Sequence, residues 1–309
     1  MMLRTLALTL LALPATLLAA DQPGVRLGEA TTSQWRFGVV VRAPAGATGI
    51  RATLPVPMDW PEQQVKALGE EKSASVGSMT FATLDGGVKQ MQVNIAKLGA
   101  GEEATAIVRY EITKRRILAP TETAAYQVPA KPGELAKYLT KSPYIESTDP
   151  KIKSLAAELT KDKAGGWEKS AAVFDWVRAN VKYEFAQEIK PAVAALADGK
   201  GDCEELTSLV IALCRSSKIP ARAVWVPSHC YPEFCLADEQ GKPHWFPCQA
   251  AGADRQFGSM IEDRPILQKG DNFRVPGHRE PLRYVQQTLT AKDAGAPLEV
   301  SFIMEKVEK

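Results

Sequence analysis

The stretch "GKGDCEELTSLVIALCRSSKIPAR", residues 199–222, sets Cys203 where a glycine-flanked turn becomes an amphipathic helix. Unpaired N–H groups and the positive end of the helix dipole favour negative charge at such a place. A thiolate is the nucleophilic form of cysteine, and the same N–H groups can receive the oxyanion formed when a thiolate attacks a carbonyl. Two features oppose this. Glu204 and Glu205 follow directly and work against a thiolate unless they point away, and Cys203 continues an apolar stripe, three residues before Leu206 and eleven before Cys214. Local position thus suits a reactive thiol or a buried one.

A thiol nucleophile needs a base, and the chain has three histidines, His229, His244 and His278. His229, in "WVPSHCYPEF", lies on an apparent strand 26 residues after Cys203, far enough to fold back over the helix mouth. If 229–237 and 243–249 form a hairpin centred near 239, residue 229 falls opposite 249. Alternation then puts His229 and Gln249 on one face and Cys230 and Cys248 on the other. Cys203, His229 and Gln249 become a nucleophile, a base and a polar group able to orient the imidazole. Cys230 and Cys248 become a cross-strand disulfide or a neighbouring pair of core thiols. Cys230, Cys235, His244 and Cys248 also have the residue types of a zinc site, but their spacing is not a common ligand pattern. No metal or other cofactor is expected.

The elements that must position these residues are legible in outline. Residues 1–20 read as a cleaved signal peptide, with an apolar run too short and poorly flanked to span a membrane. From 21 to 116, "SQWRFGVVVRAP", "GIRATLPVP", "VKQMQVNIAKL" and "ATAIVRYEITKR" alternate with period two, and "LDGG" is a hairpin signal. This predicts an all-β sandwich domain. Residues 117–150, with five prolines, read as a connecting arm. The core, 151–255, starts at Asp149-Pro150 with a helix whose inner stripe is Ile152, Leu155, Ala156 and Leu159. A second helix carries Val173, Trp176, Val177 and Val181, a third runs from about Glu204 to Ser216, and strands follow. Residues 256–309 form a β-containing extension that either completes the core sheet or covers the cleft.

Removal of the leader leaves 37 basic against 36 acidic residues, a balance that argues against nucleic acid as a partner. No later stretch is long and apolar enough to span a bilayer. Export, to the periplasm or outside the cell, puts the five cysteines in an oxidising compartment where an odd count leaves one thiol unpaired.

"GKGDCEELTSLVIALCRSSKIPARAVWV", then "SHCYPEF", then "HWFPCQ", resembles the transglutaminase-like superfamily. The resemblance covers about residues 150–250. It implies an α+β fold, with a papain-like or transglutaminase-like core preceded by the sandwich. It also implies Cys203 as nucleophile, His229 as general base, and thiol-dependent acyl transfer on a peptide or protein substrate; hydrolysis is favoured over crosslinking because water is always present and no acceptor site is read from the sequence. The family's third residue, an aspartate, falls on Gln249, which can orient an imidazole by hydrogen bonding but not by charge. Trp176 and Tyr183 are available as a second oxyanion donor. The alternative is a non-catalytic module that keeps the fold to bind a peptide or partner.

Overall fold

The computed structural model describes residues 24–308. The leader and its cleavage site lie outside the described residues.

The alternating runs form β1 (Arg26–Arg42), β2 (Ala47–Pro55), β3 (Gln63–Lys72), β4 (Val76–Leu84), β5 (Val88–Leu98) and β6 (Glu103–Leu118). Side chains two apart share a face, so Trp35, Phe37, Val39 and Val41 of β1 all turn inward and are buried. They meet Ile50, Ala52 and Leu54 of β2 and Met91, Val93 and Ile95 of β5 in one core. At "LDGG" the chain reverses between β4 and β5 through Gly86 and Gly87, both at positive φ.

In the core, α1 (Pro150–Thr160) opens on Asp149, whose carboxylate accepts the N–H groups of Lys151 and Ile152. There follow α2 (Gly166–Asn180), β7 (Lys182–Tyr183), α3 (Ala192–Asp198), β8 (Lys200–Gly201) and α4 (Cys203–Ser216). Next come β9 (Ala221–Val226), β10 (His229–Ala237), β11 (Pro243–Pro247) and β12 (Gln268–Lys269), an antiparallel sheet in the order β11-β10-β9-β12. Ile152 and Ala156 of α1 and Val173 and Val177 of α2 are buried against α4 and this sheet, while Leu155, Leu159 and Trp176 are only partly covered. Every residue of α4 from Glu205 to Arg215 is buried, so this helix is enclosed all round rather than amphipathic at a surface. Arg215 is tolerated there because Asp271 accepts from it with both oxygens at 2.8 Å.

The rest of the chain departs from its linear reading. After β12, the strands β13 (Thr288–Thr290) and β14 (Asp293–Ala294) pair with β2, and β15 (Glu299–Lys306) pairs with β1. The two sandwich sheets therefore run β15-β1-β6-β3 and β13-β2-β5-β4, with β14 beside β2. Residues 256–308 complete the core sheet through β12 and also close the sandwich through β13, β14 and β15, so β1 and β15 pair in one sheet. Between sandwich and core, the buried Lys269 ammonium bonds Glu62 at 2.6 Å and Glu233 at 2.7 Å, and Gln63 brackets Ile266 through its N–H and C=O. The fold is α+β.

Candidate active site

The helix mouth is built by its flanking glycines and acids. Gly199 ends α3 in the left-handed conformation, φ 64°. Gly201 passes so close to Glu205 that a Cβ there would lie 2.5 Å from the Glu205 Cβ. Asp202 caps α4: its carboxylate accepts the Glu204 N–H at 2.7 Å, and Glu205 reaches back to the Asp202 N–H at 2.8 Å, a reciprocal capping box. Glu205 also accepts the Lys190 N–H at 2.8 Å. Its charge is spent on backbone donors, and Cys203 is left as the first residue of the helix.

Cys203 is half-buried and faces a cleft of about 950 Å3 that His229, Tyr183 and Arg283 also line. Its thiol is held down to about 4. A hydrogen bond from the Cys230 thiol is the largest cause; the His229 imidazole adds a hydrogen bond and its charge, and together they outweigh burial. Burial and the neighbouring Cys203 push the Cys230 thiol well up, so it remains a protonated donor. Cys230 Sγ also lies 3.7 Å from the Cys203 carbonyl oxygen. Asp202 is raised to about 7, first by burial and then by its hydrogen bond with Glu205. The Tyr183 phenol, which lines the same cleft, is raised by burial and by the charges of Cys203 and Asp202. Trp176, the other aromatic offered by the sequence, packs against the helical core instead.

His229 opens β10 directly after the two-residue turn Pro227-Ser228, with Ser228 in the left-handed region at φ 58°. His229 Nε2 lies 3.2 Å from Gln249 Oε1. An amide oxygen only accepts, so Nε2 donates in this pair, which leaves Nδ1 for the thiol. Gln249 is fixed in turn: its N–H donates to Gln256 O at 2.9 Å, and Arg178 donates to its carbonyl at 3.0 Å.

The three residues singled out by sequence are thus brought together, but not by the expected register. Glu233 pairs with Pro247 and Phe234 with Phe246, so residue 229 would fall opposite 251 rather than 249. The turn is centred on 240, because the Asp238 carboxylate accepts the N–H groups of both Gln240 and Lys242. A two-residue slip keeps every side chain on its face, and pairing stops before His229. Cys230 and Cys248 are not bonded to each other; all five cysteines are free. Among the described residues no three metal-ligating side chains converge. His244 pairs with Asp238 at 2.7 Å instead of joining the cysteines.

Three contributors carried no sequence signal. Cys230 alternates away from His229, yet α4 crosses that face of β10, as the bond from Thr207 Oγ1 to Cys230 O at 3.3 Å shows, and brings Cys203 to it. Arg178 and Arg283 act across long separations that no local pattern announces.

This arrangement of helix mouth, hairpin and connecting helices has known counterparts. Residues 153–250 match the model of the Transglutaminase-like superfamily, and the chain carries a transglutaminase-like core in that segment. The crystal structure of a proposed cysteine protease from Cytophaga hutchinsonii is similar at a TM-score of 0.62. The likeness covers 92% of this chain and 93% of that one at 15% identity, so the shared fold extends over sandwich and core alike. A proposed protease from Parabacteroides distasonis matches at a TM-score of 0.30 and 15% identity, over 74% of this chain and 44% of that one. None of the curated proteins matches the sequence significantly.

Proposed function

We propose that the cleft performs thiol-dependent acyl transfer on a peptide or protein amide, with water as the acceptor. The observation that supports this most directly is the Cys203 thiol, held down to about 4 at a helix N-terminus beside His229. The thiolate attacks the amide carbonyl, and the developing oxyanion is received by the Cys203 N–H and the Tyr183 hydroxyl. The imidazolium of His229 gives its Nδ1 proton to the leaving amine, while Gln249 holds the Nε2–H and so orients the ring. His229 then takes a proton from the water that attacks the acyl-enzyme. The leader-like residues 1–20 support export as the setting.

One observation favours a second reading, a peptide-binding module without chemistry: the family's aspartate is a glutamine here, at position 249. Peptide substrates screened with the wild type and C203A separate the two. Turnover by the wild type that C203A lacks, with an acylated Cys203 found by mass spectrometry, supports catalysis. Equal peptide binding by both proteins with no cleavage by either would favour the module.

A further inference from the structure

Arg283 comes from a loop between β12 and β13, 80 residues after Cys203, yet it reaches the first turn of α4. Its Nη2 donates to the Glu204 carbonyl oxygen at 2.9 Å and to Ser208 Oγ at 2.8 Å, and its Nη1 donates to the Glu204 carboxylate. The residue is 7% exposed and its guanidinium lies over the Trp225 ring, 4.8 Å from the centroid. The backbone on either side is fixed as well. Leu282 and Phe273 exchange both N–H···O bonds at 2.8 Å, and the Gln268 amide brackets Val285 at 3.0 and 3.2 Å.

Glu204 is the acidic residue next to Cys203 that the capping box does not use. Its carboxylate, 40% exposed, lines the same cleft as Cys203 and, without a partner, would oppose the thiolate there. We propose, resting on the reading of Cys203 as nucleophile, that Arg283 is a positioning residue of this site. It cancels the Glu204 carboxylate beside Cys203 and pins the first turn of α4 through the Glu204 carbonyl and Ser208. The forked guanidinium is needed because three acceptors lie in different directions, which an ammonium does not match. The other titratable groups facing Cys203 are His229 and Cys230 on β10, Tyr183 on β7, Asp202 at the cap of α4, and Arg264 between β11 and β12. Arg283 thus ties the segment between β12 and β13 to the first turn of the helix that carries Cys203.

The test is the pH dependence of Cys203 alkylation by iodoacetamide in the full mature chain, for R283Q, R283K, E204Q and E204Q/R283Q, with Tm measured alongside. R283Q is expected to raise the apparent pKa of Cys203 by about one unit, a roughly tenfold loss of thiolate at pH values below it. E204Q/R283Q is expected to return it to about the wild-type value, and R283K to fall between. A shift that persists in the double variant, or a lower Tm with no change in the alkylation profile, overturns the proposal. Should R283Q fail to fold, E204Q decides: the unbalanced guanidinium lowers the apparent pKa, and an unchanged or raised value overturns the proposal. A wild-type Cys203 that titrates as a free thiol is a different failure. It removes the nucleophile reading, and this proposal with it, before any variant is compared.

Discussion

His229 Nε2 reaches Gln249 Oε1 at 3.2 Å although the β10–β11 ladder ends at Glu233 and Pro247, short of both residues. The contact is therefore made by the loop after β11, which Arg178 of α2 holds through the carbonyls of Gln249 and Ala253. Arg178 of the core helix and the Cys248 N–H, which donates to Pro232 O of β10 at 2.9 Å, together hold the residue that orients the imidazole.

Removing the amide should cost chemistry rather than binding. Q249A is expected to lower kcat of peptide hydrolysis about tenfold, with KM little changed, since orienting a base contributes part of the roughly 100-fold or greater effect of general base catalysis. R178M should reproduce part of that loss through Gln249. Steady-state kinetics on the best peptide substrate check both, and a Q249A enzyme with unchanged kcat contradicts the role.

Asp202 titrates near neutral pH, at about 7, beside the thiolate. Above that pH its carboxylate adds negative charge to the cleft. The rate of Cys203 alkylation by anionic iodoacetate, divided by that for neutral iodoacetamide, should fall through an inflection near pH 7. D202N keeps a good helix cap and should remove the inflection; its persistence would assign the titration elsewhere.

Glu233 sits fully enclosed between sandwich and core. Burial would raise its pKa, but Lys269 and Arg222 reverse this and hold it below the usual glutamate range. As pH falls the unfolded chain takes up the proton first, so the stabilisation is present above pH ~4.3 and is lost as pH drops through the lower folded value. K269M leaves Glu233 and Glu62 short of a buried partner and should destabilise by about 3–5 kcal/mol. Guanidinium unfolding of wild type and K269M between pH 3 and 7 reads both effects; a cost under about 1 kcal/mol contradicts the joint.

Much of the helix mouth was legible because its signals are local. The glycines at 199 and 201, the capping acids and the period of α4 lie within twenty residues, and Asp149-Pro150 announces α1 in the same way. Hairpin faces survived a misplaced turn because the error was two residues, a whole period of the strand. What depends on separation was not legible. The pairing of β15 with β1 joins residues more than 250 apart, and neither strand carries a mark of the other. The same holds for Arg283 at Glu204, and for Cys230, whose approach to Cys203 follows from how α4 lies across β10.

The nucleophile role of Cys203 is tested by the alkylation rate of all five cysteines in the folded protein against pH, read by mass spectrometry. Cys203 is expected to label far faster than Cys214, Cys230, Cys235 and Cys248, which are buried. Its rate should be half-maximal near pH 4, and H229A should move that midpoint to higher pH. Labelling that rises only through pH ~8.5, as for a free thiol, or a profile that H229A leaves unchanged, would contradict Cys203 as the nucleophile.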